Sequence, residues 1–311
     1  MQTKEKFRFD KSAKSLLLFS LIYLVASYFI VGFKTDQLVL IFLLNSLFFI
    51  SQQSRKILMV CFPFVIFWIL FDYMKVFPNY NVNDVSIKEL YETEKAIFGF
   101  LSDGKMVTPN EYFAVHNNKI FDILSGIFYL SWVTVPIFLT IYFLYTKQKE
   151  AIHLPIAFLL VNLIGFAMYY IYPAAPPWYV AQYGFEFIKN TPGNPAGLSR
   201  FDDALRINLF HSMYQKSSNV FAAMPSLHSA YPVISLYFAL KKKLLRISVV
   251  IGLTAIGIWF FAVYSSHHYI LDVVCGILCA LVGLTVYQIL NNKQQHFRKM
   301  IDGLSKLVFV I

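Results

Sequence analysis

From about residue 15 to residue 290 the chain is a succession of apolar stretches broken by short polar or basic turns, and few folds accept that pattern. Eight stretches stand out, at about 15–33, 37–53, 57–74, 120–145, 151–172, 221–240, 246–264 and 268–290. Segments of this kind suit helices that cross the roughly 30 Å hydrocarbon layer of a bilayer. Of the 311 residues 58% are hydrophobic and only 14% charged, more apolar surface than a soluble domain needs. The expected fold class is therefore all-α: a polytopic integral membrane protein with about eight transmembrane helices. The first segment is too long for a signal-peptide core and is expected to be retained.

The net charge of +10 could point to nucleic acid, but its distribution argues otherwise. With the basic stretch Lys4, Lys6, Arg8, Lys11 and Lys14 in the cytoplasm, eight spans put Arg55/Lys56, Lys147/Lys149, Lys241–Lys243/Arg246 and Lys293/Arg298/Lys299/Lys306 on that same side. Cytoplasmic turns are enriched in Lys and Arg, so both termini are expected in the cytoplasm of a multi-pass cell-membrane protein. No nucleic-acid partner is expected, and the sequence does not indicate an oligomeric state. Cys61, Cys275 and Cys279 all lie in apolar segments and read as packing residues, with no disulfide framework.

This topology divides the chain into two N-terminal spans (1–56), a six-span core (57–290) and a cytoplasmic tail (291–311). The core carries two long segments on the opposite, external side. In 75–119, Ile87, Leu90, Tyr91, Ile97 and Phe98 keep a helical period opposite Lys88, Glu92 and Lys95, which predicts an interfacial helix. Thr108-Pro109-Asn110-Glu111 predicts a second short helix, with a capping residue, proline at the first turn and glutamate three residues on. In 173–220, the prolines of Tyr172-Pro173-Ala174-Ala175-Pro176-Pro177 stop the fifth span abruptly. This segment is a candidate lid.

Ionisable residues at membrane-helix ends are functional candidates. His268 and Asp272 stand four apart at the start of the last span, on one helix face, so the carboxylate can orient the imidazole. His228, in Met224-Pro225-Ser226-Leu227-His228, opens the sixth span, and the topology brings both histidines to the external face. Pro225 leaves the N–H groups of Ser226, Leu227 and His228 as a candidate phosphate cradle. The set predicts phosphoryl transfer through a phosphohistidine: His268 attacks phosphorus, Asp272 holds its tautomer, and His228 moves protons. Substrate-binding candidates are Ser226, Leu227, Lys216, Arg200, His267 and Tyr172. No metal or cofactor is expected.

These motifs resemble those of the type 2 phosphatidic acid phosphatase superfamily. Tyr-Pro-Ala-Ala-Pro-Pro-Trp (172–178), Met-Pro-Ser-Leu-His-Ser-Ala (224–230) and His-His-Tyr-Ile-Leu-Asp (267–272) are similar to its inositol phosphorylceramide synthase branch. The resemblance covers about residues 108–290. It implies a six-helix core, His268 as nucleophile, Asp272 as its partner and His228 as general acid and base. The phosphatases' Lys-x6-Arg-Pro signature is absent, and Ala262 stands where they have an arginine six residues before the nucleophile. Three cations that grip a phosphate monoester are thus missing, which favours a singly charged phosphodiester. The expected activity is transfer of a phospho-headgroup, phosphoinositol above all, from a phospholipid to a ceramide-like hydroxyl. The alternative is a lipid phosphate phosphatase, with water as acceptor.

Overall fold

A computed structural model describes residues 11–215 and 219–309. Lys4, Lys6, Arg8 and the substrate-binding candidate Lys216 lie outside them. Two compact units divide at Phe62/Pro63. The first holds α1 (Lys11–Ile30), α2 (Thr35–Ile50) and the opening of α3 (Gln52–Tyr73). Inside it, the Asn45 amide of α2 donates to the Ser20 hydroxyl of α1 at 3.0 Å, which satisfies a polar group between two apolar helices.

The second unit continues α3 and adds α4 (Lys88–Phe98), the hairpin β1 (Phe100–Ser102) and β2 (Lys105–Val107), and α5 (Pro109–Val115). It goes on through α6 (Lys119–Tyr145), α7 (Glu150–Ile171), α8 (Pro177–Tyr183), α9 (Ser199–Leu205) and α10 (Leu209–Gln215). The chain then runs through α11 (Leu227–Lys241), α12 (Leu245–Tyr264), α13 (Ile270–Lys293) and α14 (Gln295–Phe309).

Helices occupy all eight expected positions, and α1, α3, α6, α7, α12 and α13 are long and apolar enough to cross a membrane. The other two, α2 with 16 residues and α11 with 15, reach only about 22–24 Å at 1.5 Å per residue. The apolar stretch at 221–240 overstated α11, because its first residues are extended. The Ala174 N–H donates to the Phe221 carbonyl at 2.9 Å, and Ser86 is bridged to Ala174 in turn. The Ala174-Ala175 strap thus pins the approach to Ser226, the N-cap of α11. The last long helix likewise begins at Ile270 rather than at 268.

Around α11 pack α6, α7, α12 and α13, and Phe67 of α3 meets Trp132, Phe166 and Tyr231. Two polar pairs cross between helices inside: the Tyr231 hydroxyl donates to Asn162 Oδ1 at 2.7 Å, and Trp259 Nε1 donates to the Ser229 carbonyl at 3.1 Å. One contact sets the spacing of α11 and α13. A Cβ built on Gly276 would lie 2.0 Å from the Ser226 carbonyl oxygen, so only glycine lets α13 come this close to the start of α11.

Both short helices expected in 75–119 are present as α4 and α5, and Thr108 and Glu111 form the capping box. The hairpin between them, turning at Asp103-Gly104, was not foreseen from the periodicity. Nor is the tail featureless: it is the amphipathic α14, which buries Ile301, Ser305 and Val308 where it meets α7 and α13.

Candidate active site

The loop 265–269 between α12 and α13 carries His267 and His268, and each of its backbone N–H groups is bonded. The N–H groups of His267 and His268 both donate to the Ala262 carbonyl, at 3.2 and 3.1 Å. Asp272, in the first turn of α13, accepts the Tyr269 N–H on Oδ2 at 2.8 Å, closing the helix start.

The three catalytic candidates come together. His268 Nε2 lies 3.4 Å from His228 Nδ1, and His268 Nδ1 lies 3.5 Å from Asp272 Oδ2. The expected Asp272–His268 hydrogen bond is therefore only a charge-pairing distance here. Nδ1 of His268 faces the carboxylate and Nε2 lies on the side of His228. Burial lowers the pKa of His268 to about 4, with the Ala223 carbonyl acting against it, so the ring is neutral and its lone pair available near neutrality. Asp272 is fully buried.

His228 stands among aromatic rings, with Tyr129 at 4.9 Å and Trp132 edge-on at 5.2 Å between centroids. A cavity of about 10 Å³ lies here, lined by Tyr129, His228, Ile258, Phe261, Ala262 and His268. That is room for about one water molecule. Ala262, where the phosphatase signature has arginine, forms part of its wall.

The substrate-binding candidates fare unevenly. Ser226 gives its N–H to the Asp272 carbonyl at 2.9 Å, and its hydroxyl accepts from Ser229, so its N–H is not open to phosphate. Leu227 buries its side chain over Gly165. His267 is engaged at both nitrogens: Nε2 meets the Pro195 carbonyl at 2.9 Å and Nδ1 the Tyr214 hydroxyl at 3.3 Å, with the Tyr214 ring stacked on it. Burial lowers its pKa to about 3, the neighbouring His268 adding to the effect, so it ties the 195 turn to the loop as a neutral ring. The Tyr172 hydroxyl donates to Ser86 at 2.8 Å.

Arg200 lies beside the site. Its Nε donates to Asp122 Oδ1 at 2.6 Å, its Nη2 reaches the Tyr264 carbonyl at 3.4 Å, and its guanidinium sits over the Tyr264 ring. The side chain remains 24% exposed, and the Tyr264 hydroxyl completes the cluster by donating to Asp122 at 2.8 Å. In the candidate lid, α8 and the 196–198 turn hold to the 265–266 backbone through the N–H groups of Trp178 and Gly197.

Sequence reasoning did not single out Tyr129, Tyr214, Asp122, Asn110 or Glu94. Only Glu94 left a trace: it falls four residues after Leu90, on the face of α4 that is otherwise apolar. Among the described residues no three His, Cys, Asp or Glu side chains gather in a group that could hold a metal ion.

A family model described as the PAP2 superfamily matches residues 108–286, more than half of the chain. The chain belongs to the PAP2 superfamily. As a PAP2 protein it is 42% identical over 294 residues to the phosphoinositol dihydroceramide synthase of Bacteroides thetaiotaomicron, which covers 94% of this chain and 96% of that one. It is 28% identical over 295 residues to the inositol phosphorylceramide synthase of Candida albicans, spanning 93% of this chain but 58% of the relative. The inositol phosphorylceramide synthase catalytic subunit of Saccharomyces cerevisiae is 37% identical over 127 residues, 39% of this chain and 30% of the other. No solved structure matches this PAP2 chain.

Proposed function

We propose that this protein transfers phosphoinositol from phosphatidylinositol to the hydroxyl of a ceramide-type lipid, through a phosphohistidine on His268. The observation that carries the reading is the identity to a phosphoinositol dihydroceramide synthase along nearly the whole of both chains. The geometry of His228, His268 and Asp272 supports the route.

In the first step Nε2 of His268 attacks phosphorus, an N–P bond forms, and the P–O bond to diacylglycerol breaks. His228 delivers a proton to the departing oxygen, while Asp272 stabilises the charge that develops on the His268 ring. In the second step His228 takes the proton of the acceptor hydroxyl, its oxygen attacks phosphorus, and the N–P bond breaks. Atoms balance without water, and no step calls on a metal.

An in-line phosphoryl group needs its phosphorus about 3 Å from the attacking nitrogen and its leaving oxygen within about 3 Å of the acid. The 3.4 Å between the rings is too short for that, so the rings swing apart when substrate enters, over backbones that stay held. The basic turns Lys147/Lys149 and Lys241–Lys243 follow the far ends of α6 and α11, which supports an external site and cytoplasmic termini. Arg200, kept partly exposed by its pairing with Asp122, is the described cation best placed to meet the donor phosphate.

The test uses purified protein in mixed micelles with labelled phosphatidylinositol, ceramide and EDTA, and phosphatidic acid in parallel. A phosphoinositol sphingolipid that disappears in His268→Ala is expected. Release of inorganic phosphate from phosphatidic acid with no new lipid would overturn the reading in favour of a phosphatase.

A further inference from the structure

The backbone that carries His268 is held by two side chains from the segments before the core motifs. Glu94 of α4 has no exposed surface, and its two carboxylate oxygens accept separate N–H groups: Oε1 from Ile270 at 3.0 Å and Oε2 from Leu271 at 3.1 Å. These are the first two residues of α13, whose N–H groups have no partner within the helix. Asn110 of α5, also buried, donates through Nδ2 to the carbonyl of His268 itself at 2.9 Å and to that of Val263 at 2.8 Å.

The placements are complementary. Glu94 takes the amides just after His268-Tyr269, Asn110 takes the carbonyl of His268 and the end of α12, and Asp272 takes the amide between them. The carbonyl of His268 and the amides of Tyr269, Ile270 and Leu271 are thereby each held by a side chain, and two of the three side chains are distant in the chain. Leu90 of α4 packs with Ala174, Ala223 and Tyr269 beneath this junction, so α4 is seated by apolar contact as well.

A carboxylate buried against amides rather than a cation is costly to ionise, and burial raises the pKa of Glu94. An apolar residue would leave both amides without an acceptor, and a glutamine would offer them one oxygen in place of two. What only the carboxylate supplies is two acceptors in one plane and a negative charge at the positive end of α13.

We propose that Glu94 and Asn110 are positioning residues for the transfer reaction, clamping the backbone around His268 so that Nε2 is aimed at phosphorus. The proposal rests on the reaction assigned above. It makes α4, which precedes the span matched by the family model, a working part of the site.

The experiment compares wild type, Glu94→Ala, Glu94→Gln, Asn110→Leu and His268→Ala, each purified as the full chain, in the phosphatidylinositol–ceramide assay. Melting temperatures are recorded beside kcat and KM. A misplacement of about 1 Å costs up to about a hundredfold in rate. Glu94→Ala and Asn110→Leu are therefore expected to lower kcat about tenfold to a hundredfold, with KM for phosphatidylinositol within about twofold. Glu94→Gln keeps one acceptor oxygen and is expected to fall between Ala and wild type. Wild-type kcat in folded Glu94→Ala and Asn110→Leu, or a loss confined to KM, overturns the proposal. If Glu94→Ala does not fold, Glu94→Gln and Asn110→Leu decide by the same criteria. His268→Ala separates the two levels. Its inactivity beside fully active clamp variants refutes the clamp alone, whereas full activity in His268→Ala refutes the reaction and the clamp with it.

Discussion

Gly276→Ala is the substitution that tests most directly whether the spacing of α11 and α13 sets the rate. The added methyl would sit 2.0 Å from the Ser226 carbonyl oxygen and 2.9 Å from its carbonyl carbon. Ordinary contact begins at 3.4 Å, so α11 and α13 must part by about 1.4 Å at this point. Nothing there can yield cheaply, because the clashing atoms are backbone and the Ser226 N–H is already bonded to Asp272. His228 is two residues beyond Ser226, and Asp272 one turn before Gly276, so the displacement falls on the relation between His228 and the His268–Asp272 pair. We expect kcat to fall about a hundredfold, equivalent to about 2.7 kcal/mol, with an overpacking cost of about 1–3 kcal/mol seen as a lower melting temperature. The control is Gly252→Ala in α12, where a new Cβ meets nothing within 4 Å. Initial rates of labelled sphingolipid formation in mixed micelles would measure both. Gly276→Ala with the rate and melting temperature of wild type would refute the reasoning.

His268→Ala is expected to abolish transfer, and His228→Ala to leave a very slow enzyme that accumulates the phosphohistidine, detectable as acid-labile, base-stable label on the protein. With His268 held at about 4, kcat should be level through neutrality and drop as pH falls below about 5, where protonation removes the nucleophilic lone pair. The stability sign follows: the folded pKa lies below the ordinary 6.5, so the unfolded chain binds the extra proton, and stability should decline as pH falls from about 6.5 to 4. Arg200→Ala leaves Asp122 with the Tyr264 hydroxyl but no cation, and should cost about 1–3 kcal/mol in a denaturation measurement. A rise in KM for phosphatidylinositol in that variant would place Arg200 on the donor phosphate.

The parts of the site carried by short-range pattern were legible in the chain. The four-residue spacing of His268 and Asp272 pointed to their pairing, although His268 lies in the loop just before α13 and not on its face, and the positive turns put His228 at the same end. Helix positions followed apolar length, and the Thr108–Glu111 box followed from capping chemistry. What the pattern missed is long-range. Glu94 meets Ile270 across 176 residues and Asn110 meets His268 across 158, and nothing near either residue states its partner. Ser226 shows the converse: its N–H looked free from the local rule for helix starts, and the fold spends it on a carbonyl of another helix. The start of α11 was misplaced because 221–223 are apolar for a different reason, packing as extended backbone beside the Ala174-Ala175 strap.

On the proposed route, the 10 Å³ cavity at the histidines bears on how a phosphohistidine would divide between transfer and hydrolysis. Before substrate enters, that space holds about one solvent molecule and is walled largely by aromatic and aliphatic side chains. The acceptor hydroxyl arrives on a lipid confined to the same bilayer, so its local concentration is that of a two-dimensional solvent rather than of a dilute solute. On that reading the site favours transfer by limiting water and not by recognising and rejecting it. The product ratio of transfer to hydrolysis should then follow the mole fraction of acceptor in the membrane.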